Sequence, residues 1–421
     1  MRRTISVASL QMNAHDRDAF ELVWPHILQR IQLAGASGAQ LVVLPEGTVP
    51  AYVIGNAAID SSVTERALND ICGVAQREKI VVVYGTVRFN ESLMYNSASV
   101  VDSDGSVAGH ADKCFLWHFD RQWFASGDVN APIKTSLGNL GVMICADGRI
   151  PTIARSLADQ GADLFVMPTA WVTSGRDPEN LENIQADLLA RVRARENGLP
   201  FLAANKSGVE RGCVLYCGKS QIIDASGEIL AIAAQQGEET LTSLVQTGAE
   251  KPKRAHLANP VRASIDGEPK RFAISDRPEA LQPGLLQILE ADFFLNAQPH
   301  SDRPVHAAVP AATANDTMVL DPAGLVPYKL AGYELIVWRS EGIGATWLQT
   351  YARARALELR LYIVCILPGE IAFAVDPDGM VLAATFGDFR VASFAFVPDR
   401  TRQTAVAPGT DIMEGLERVR F

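Results

Sequence analysis

The stretch GVMICADGRIP, residues 141–151, places one cysteine between an apolar run and a turn. Two other stretches have the same form: LVVLPEG (residues 41–47) carries Glu46, and HADKCF (residues 110–115) carries Lys113. Taken singly, a glutamate after a strand is usually solvated, a lysine usually lies at the surface, and a cysteine is usually a small buried hydrophobe. In this order and in these surroundings, the three residues together indicate a catalytic group.

Short apolar runs alternate with helical patterns over roughly the first 250 residues. Mixed strands with helices outside favour a layered sandwich of sheets over a purely parallel dinucleotide-binding sheet. Glycine and Asp-Gly between successive runs predict hairpins from Ile80 to Ala111. The predicted helices lie around Val23–Leu33 and Val63–Ala75. The predicted strands are Thr4–Met12, Gln40–Leu44, Val81–Gly85, Ser97–Asp102 and Gly105–His110.

The second part of the chain repeats the first. A polar, basic stretch from about Thr247 to Lys270 predicts a linker. After it, ARARALELRLYIVCI (residues 352–366) matches ARVRARENGLPFLAA (residues 190–204), and VDPDGMVLA matches IDASGEILA. Such self-similarity predicts duplication of a structural unit.

The second copy is expected to be truncated and catalytically empty. VLDPAGLVP aligns with MICADGRIP, so Asp321 replaces Cys145, and a carboxylate does not substitute for a thiol nucleophile. A weaker match of EADFFLNAQ to GAQLVVLPE leaves out most of the stretch between Glu46 and Cys145. We therefore expect a catalytic domain at 1–255 and a degenerate repeat at 256–421.

The three residues with these flanks resemble the carbon–nitrogen hydrolase (nitrilase) superfamily. The resemblance covers roughly residues 1–250 and extends through DLFVMPTAW, residues 163–171. It implies a four-layer α-β-β-α sandwich followed here by the truncated repeat. It also implies that Cys145 is the nucleophile, Glu46 the general base and Lys113 the cation that stabilises an oxyanion.

The chemistry of these groups agrees with that implication. A thiol is mostly protonated at neutral pH, so it needs a base such as Glu46 within reach. Lys113 and the backbone N–H of Ala146 would stabilise the oxyanion. Hydrolysis would then pass through a thioester with release of ammonia, and Trp171 is a candidate substrate-binding residue.

Asp120 is the fourth candidate catalytic residue. Members of the superfamily commonly carry a second glutamate before a Phe-x-x-Gly-Asp-like element, and FDRQWFASGD (residues 119–128) has Asp120 in that place. The resemblance implies that Asp120 holds Lys113 or the substrate nitrogen, with a shorter reach than glutamate. The alternative is that Asp120 only caps a turn.

The residues after the cysteine bear on the substrate. Nitrile hydrolysers of the superfamily tend to have Trp-Glu there, whereas Ala-Asp-Gly-Arg in this chain favours amides. N-carbamoyl amino acid amidohydrolases have two arginines that contact the substrate carboxylate; Arg149 matches the second, and Gly148 stands at the position of the first. Arg149 therefore binds substrate or forms a scaffold ion pair, and both interpretations stay open.

Composition limits the other partners. With 421 residues, 48% hydrophobic and 20% charged, the chain is globular, and a net charge of −10 gives no surface for nucleic acid or anionic membranes. No apolar run is long enough to span a membrane, and six scattered cysteines favour a reducing, cytoplasmic location. Cys213 and Cys217 are predicted to lie on strands. The histidines lack metal spacing, and no nucleotide-binding or zinc motif occurs, so no cofactor or metal is expected.

The expected activity is cysteine-dependent hydrolysis of a small-molecule carboxamide or N-carbamoyl group. The alternatives are nitrile hydrolysis, acyl transfer to an amine, and a non-enzymatic binding protein on the same sandwich. Sandwiches of this superfamily typically associate through helical faces. We therefore expect the C-terminal repeat to act as an intrachain pseudo-partner, whether or not whole chains form homodimers.

Overall fold

The computed structural model describes residues 3–56, 58–129, 131–177, 179–248, 252–263, 267–279 and 283–419. No helix among these residues is long and apolar enough to cross a membrane. The strands are β1 Arg3–Asn13, β2 Leu41–Val43, β3 Val81–Asn90, β4 Leu93–Val101, β5 Val107–Asp112, β6 Ile133–Thr135, β7 Gly138–Val142, β8 Leu164–Pro168, β9 Phe201–Ala204, β10 Lys206–Glu210, β11 Val214–Cys217, β12 Gln221–Ile223, β13 Ile229–Ile232, β14 Glu239–Thr247, β15 Lys270–Ile274, β16 Phe293–Leu295, β17 Ala311–Ala314, β18 Leu335–Arg339, β19 Tyr362–Leu367, β20 Ile371–Val375, β21 Val381–Ala384, β22 Ala392–Phe396, β23 Ala405–Ala407 and β24 Thr410–Asp411. The helices are α1 Phe20–Ala36, α2 Ser61–Glu78, α3 Asp120–Trp123, α4 Pro151–Asp159, α5 Ala190–Asn197, α6 Pro283–Ile288, α7 Arg303–Ala308, α8 Asp316–Leu320, α9 Val326–Leu330, α10 Ala345–Leu359, α11 Pro398–Arg402 and α12 Ile412–Glu417.

The chain divides into two compact units. The first comprises Met1–Pro252 with Ala407–Thr410 and Glu417–Phe421. The second comprises Lys253–Val406 with Asp411–Leu416.

The first sheet of the first unit has the order β11-β10-β1-β2-β3-β4-β5, and β14 also pairs with β1. Strands β1, β2 and β3 are parallel, and β3, β4 and β5 form the predicted antiparallel hairpins. Helices α1 and α2 cover one face: Ile31 and Ile71 pack into one core with Val42 and Val82. Apolar residues at helical spacing are buried against alternate strand residues, which is the pattern the sequence carries.

The second sheet has the order β13-β12-β9-β8-β7-β6, with β7, β8 and β9 parallel. Helix α4 contacts β7, and helix α5 contacts β9 and β12. The two sheets face each other, since Ser9 Oγ on β1 donates a hydrogen bond to the Ala203 carbonyl on β9 at 2.7 Å. The layers therefore run helix, sheet, sheet, helix, and the predicted four-layer sandwich is confirmed.

One strand prediction is partly wrong. Cys217 ends β11, but Cys213 lies in the exposed turn that precedes this strand. Arg211 and Gly212 both adopt positive φ angles, of 54° and 68°, so the chain reverses direction before β11 begins.

The second unit repeats these strand relations. Strand β15 is parallel to β16 and antiparallel to β22, as β1 is to β2 and β14. The sheet β17-β18-β19-β20-β21 has the same order and directions as β7-β8-β9-β12-β13. These relations support duplication of a common unit.

A buried ion pair also recurs. Arg193 pairs with Glu196 on α5, and Arg355 pairs with Glu358 on α10, all four side chains being fully buried. Each arginine also donates from Nε to a backbone carbonyl in the segment that follows the first parallel strand, at 2.9 and 2.8 Å. The two units thus share an internal contact at positions that the predicted repeat aligns.

The two units differ around the candidate catalytic residues of the first unit. Between β16 and β17 the described part of the second unit has helix α7 and no hairpins like β3–β5, so no segment corresponds to the one that carries Lys113. Helix α8 separates Asp321 from β17, whereas Cys145 follows β7 after a short extended stretch.

Gly85 on β3 lies where a side chain has no room. A Cβ atom there would be 2.5 Å from Glu46 Cα and 2.6 Å from both Gly47 N and the Pro45 carbonyl oxygen. Gly85→Ala should therefore lower the free energy of unfolding by about 1–3 kcal/mol, measured by chemical denaturation. Gly267→Ala is the control, because a Cβ there meets nothing within 4 Å. Equal stability of the two variants would contradict this prediction.

Candidate active site

The ammonium group of Lys113 lies between two carboxylates. Nζ is 2.8 Å from Glu46 Oε1 and 2.6 Å from Asp120 Oδ2, and all three side chains are fully buried. Asn96 Nδ2 donates to the same Glu46 oxygen at 2.7 Å. The other oxygens, Glu46 Oε2 and Asp120 Oδ1, are buried without a hydrogen-bond partner among the described residues. A donor entering the site can therefore bind to them.

The backbone holds these groups in place from both sheets. Glu46 follows β2, and its N–H donates to the carbonyl of Thr169 at 3.2 Å, just beyond β8 in the second sheet. Lys113 follows β5, where its N–H donates to the Asn96 carbonyl at 2.8 Å and its carbonyl accepts from Gly127 at 2.9 Å. The ends of two facing sheets thus meet at the ion pair.

Cys145 opens a short helical turn, Cys145–Arg149, which we call the cysteine turn. Its φ angle is +45°, in the left-handed region where a non-glycine residue is strained. Helix α4 begins with Pro151 directly after the turn. A strained turn between a strand and a helix is a common way to present a nucleophile at a sheet edge.

Asp147 joins the cysteine turn to the Lys113 segment. Its Oδ1 accepts hydrogen bonds from the backbone N–H groups of Cys114 and Phe115, at 3.0 and 2.7 Å. Its Oδ2 accepts from Ile144 at 3.0 Å. One fully buried carboxylate therefore fixes the residues after Lys113 against the residue before the nucleophile.

Burial governs the charges in the site. It raises the pKa of the Cys145 thiol to about 12, and the negative charge of Glu46 adds to this shift. Burial also raises the pKa of Glu46, against the opposing charge of Lys113. For Lys113 burial acts in the other direction, but the charges of Asp120 and Glu46 hold its pKa well above the usual value. The thiol is therefore protonated at neutral pH and needs a base to attack.

Lys113 supplies the fixed positive charge of the site. Across the described ranges, no three His, Cys, Asp or Glu side chains are grouped so that they could hold a metal ion.

Asp120 contacts Lys113 and also closes a turn. Its Oδ2 accepts a hydrogen bond from the Trp117 backbone N–H at 3.0 Å, which closes a turn before α3. The same oxygen accepts from Lys113 Nζ. The shorter side chain reaches Lys113 because the turn brings it there.

Arg149 is half-buried and stacks on an aromatic ring. Its guanidinium carbon lies 4.4 Å from the ring centroid of Trp117, and burial lowers its pKa to about 10. No acidic side chain pairs with it within the described ranges. At Gly148, the position of the missing arginine, a Cβ atom would lie 2.8 Å from Gln185 Oε1 and 3.0 Å from Met167 Sδ. A larger residue at Gly148 would therefore displace its neighbours.

Trp171 and Ala146 are both buried. Trp171 is 1% exposed, and its indole N–H has no partner in the described part of the chain. Its backbone N–H donates to Asn205 Oδ1 at 2.7 Å. Ala146 lies inside the cysteine turn, where the sequence places the second oxyanion donor.

Sequence reasoning missed three residues that the structure brings to the site. Asn96 lies on β4 in a small and polar stretch without a motif, and it donates to Glu46. The ring centroid of Tyr52 lies 5.7 Å from Lys113 Nζ, a contact that no spacing indicates. Asp147 stands two residues after the cysteine, which places it in the same turn, but its contacts with the segment after Lys113 are not visible in the sequence.

Comparison with known proteins agrees with this geometry. The family model for carbon-nitrogen hydrolases matches residues 6–254. The chain is 30% identical over 222 residues to a probable nitrilase of Schizosaccharomyces pombe, covering 51% of this chain and 78% of that protein. It is 27% identical over 256 residues to a citrullinase of Francisella tularensis, covering 56% and 87%. A solved carbon-nitrogen hydrolase from Helicobacter pylori G27 superimposes with a TM-score of 0.51 at 27% identity, covering 58% of this chain and 89% of that one.

The sandwich and its Cys-Glu-Lys site define a hydrolase of carbon–nitrogen bonds. This chain belongs to the carbon-nitrogen hydrolase family, that is, the nitrilase superfamily.

Asp147→Asn tests the link between the two segments. An amide has one acceptor oxygen, so it cannot replace the bonds on both sides of the carboxylate. We expect kcat/KM to fall about 10- to 100-fold and the free energy of unfolding to fall by ~1–3 kcal/mol. Asp163→Asn is the matched control, since Asp163 accepts a backbone N–H from Asn139 at 2.8 Å away from the site. Wild-type kcat/KM in Asp147→Asn would refute the link.

Proposed function

We propose that the protein hydrolyses a primary carboxamide or N-carbamoyl group through a thioester, or the corresponding thiocarbamate, on Cys145, with release of ammonia. The observation that carries this proposal is the buried Lys113 between two carboxylates, each with one oxygen that lacks a partner among the described residues. These groups can take a proton, bind an amino group and stabilise an oxyanion in one place.

In the first step Glu46 takes the thiol proton while the Cys145 sulfur forms a bond to the substrate carbonyl carbon. The raised pKa of the buried Glu46 carboxylate makes it the stronger base. The carbonyl oxygen becomes an oxyanion, which Lys113 Nζ and the backbone N–H of Ala146 stabilise. Lys113 remains charged throughout because two carboxylates face it.

In the second step the carbon–nitrogen bond breaks, and the nitrogen takes the proton from Glu46 and leaves as ammonia. Water then attacks the thioester carbonyl while Glu46 accepts its proton. The carbon–sulfur bond breaks, and Glu46 returns the proton to the Cys145 thiolate. The enzyme is restored with no net change in its protons.

The unpartnered oxygens favour an amide over a nitrile. A primary amide nitrogen carries two N–H donors, which Glu46 Oε2 and Asp120 Oδ1 can accept. A nitrile nitrogen carries none, so both buried acceptors would stay unsatisfied at a cost of ~1–3 kcal/mol each. Several relatives have names of this class, including the citrullinase and an N-carbamoylputrescine amidase of Arabidopsis thaliana, 26% identical over 274 residues.

The surroundings of Arg149 favour a substrate that carries a carboxylate. A half-buried guanidinium without an acidic partner among the described residues is a receptor for an anion, since desolvation of an unpaired cation is costly. Trp117 holds the planar group by stacking, which leaves its edge N–H donors for a bidentate contact.

Acyl transfer and simple binding predict other outcomes. An acyltransferase would pass the acyl group from Cys145 to an added amine such as hydroxylamine faster than to water. A binding protein would release no ammonia and would not depend on Glu46. Ammonia release and hydroxamate formation, measured on one panel of amides, N-carbamoyl compounds and nitriles, separate these alternatives.

Cys145→Ala should lower kcat by about a thousandfold or more while leaving thermal unfolding nearly unchanged. Glu46→Gln should also lower kcat strongly, because an amide cannot accept the thiol proton. Cys213→Ala is the matched control, since that cysteine is exposed in a turn, and its activity should equal the wild type. Retained ammonia release in Cys145→Ala, or inactivation by alkylation at another cysteine, would refute the assignment.

Arg149→Lys should raise KM for acidic substrates about tenfold, because a lysine cannot form the two parallel hydrogen bonds of a guanidinium. For neutral analogues KM should change less than about twofold. Steady-state kinetics on an N-carbamoyl amino acid and the corresponding neutral carbamoyl amine measure the ratio. An equal rise in KM for both substrates, or a loss of activity explained by a lower free energy of unfolding, would show that Arg149 has a structural role instead.

A further inference from the structure

A second buried ion pair lies outside the catalytic residues. Lys206 and Glu210, both on β10, are joined by a contact of 3.0 Å between Nζ and Oε2, and their side chains are at most 2% exposed. The Tyr216 hydroxyl on β11 donates to the same Oε2 at 2.7 Å. The other oxygen, Oε1, accepts from the backbone N–H of Val53 at 2.6 Å. One carboxylate thus joins a hairpin to the segment that follows Glu46.

The bond to Val53 is not needed to hold the hairpin together. Strands β10 and β11 already pair through backbone hydrogen bonds from Ser207 to Glu210. Burying a charged pair is costly, and replacing it with apolar residues is often neutral or stabilising. The contact with Val53 therefore calls for another reason.

The contact with Val53 fixes the backbone next to Tyr52. The ring of Tyr52 is 2% exposed and lies 5.7 Å from Lys113 Nζ, 5.4 Å from the Phe119 ring and 6.4 Å from the Tyr216 ring. Phe119 directly precedes Asp120, the second carboxylate on Lys113. Tyr52 thus contacts both the catalytic cation and the segment that carries one of its partners.

The segment is also fixed on its other side. The ring nitrogen Nε2 of His15 lies 2.9 Å from the Pro50 carbonyl oxygen. Burial lowers the pKa of His15 to about 4, so the ring is neutral and can donate this hydrogen bond. Tyr52 is therefore held between a contact at Pro50 and a contact at Val53.

We propose that Glu210 is a positioning residue for the reaction: by holding the Val53 backbone and the Tyr216 ring, it keeps the Tyr52 ring against Lys113. The inference rests on the proposed function, because it makes Tyr52 responsible for keeping Lys113 and Asp120 aligned with the carbonyl that Cys145 attacks. Displacement of a catalytic group by about 1 Å can cost up to 10²-fold in rate. Substrate affinity, which depends on other contacts, should change little.

The test compares two full-length double variants that both remove the charge pair. Glu210→Gln with Lys206→Met keeps an acceptor for Val53, whereas Glu210→Leu with Lys206→Met does not. We expect the leucine version to lose about tenfold in kcat with KM within twofold, and the glutamine version to keep most of kcat. Equal kcat in the two versions would overturn the proposal.

The route through Tyr52 is tested by a double-mutant cycle. Tyr52→Leu should itself lower kcat, and in that background the leucine and glutamine versions should no longer differ. A difference that persists there would show that Glu210 acts by another route. If the leucine version does not fold, Glu210→Ala with Lys206→Met takes its place in the cycle, because it also removes the acceptor for Val53. Wild-type kcat in that version overturns the proposal.

A readout without turnover separates this inference from the proposed function. The rate of Cys145 alkylation by iodoacetamide can be measured by mass spectrometry on the same variants. This rate should change more in the leucine version than in the glutamine version. In the Tyr52→Leu background the two versions should have equal alkylation rates. If wild-type protein releases no ammonia from any amide, the proposed function fails while this alkylation pattern still decides the role of Glu210. If amides are hydrolysed but neither pattern appears, only the inference about Glu210 fails.

Discussion

Lys113 is a fully buried cation, and it stays charged because Glu46 and Asp120 both lie within hydrogen-bonding distance. Removing one partner from such a buried group typically costs ~3–5 kcal/mol, so the three side chains constrain one another. The first sheet brings Glu46 and Lys113 together from segments 67 residues apart, and Asp120 follows Lys113 by seven residues. The sandwich is therefore the frame that this ion pair requires, and the strained turn at Cys145 is placed against it by Asp147.

Much of this arrangement was predictable from the sequence, because strand ends carry recognisable flanks. Alternating apolar residues predicted the sheets and helices, and the motifs around Glu46, Lys113 and Cys145 predicted three groups that the structure places just after strand ends. Asn96 was not predictable, since its contact with Glu46 depends on how β4 lies beside β3 and the segment after β2. Asp147 acts through backbone N–H groups of another segment, and sequence spacing does not show such contacts.

The second unit shares some of the strand relations and packing contacts of the first unit. It keeps the strand order around β15 and β19 and the buried pair of Arg355 with Glu358. Its described residues have no counterpart of the hairpins that lead to Lys113, so the cation that organises the first unit has no place there. The role of the repeat as an intrachain pseudo-partner stays a prediction.

In the proposed mechanism Glu46 activates the buried Cys145 thiol, which then carries the acyl group during turnover. Acid quenching of the full-length protein during hydrolysis of its best amide, followed by mass spectrometry of the intact chain and its peptides, measures this directly. A thioester intermediate should give a mass increase equal to the acyl group, located on the peptide that contains Cys145 and lost on treatment with hydroxylamine. Turnover without such an adduct at any quench time under single-turnover conditions, or an adduct on another residue, would contradict it.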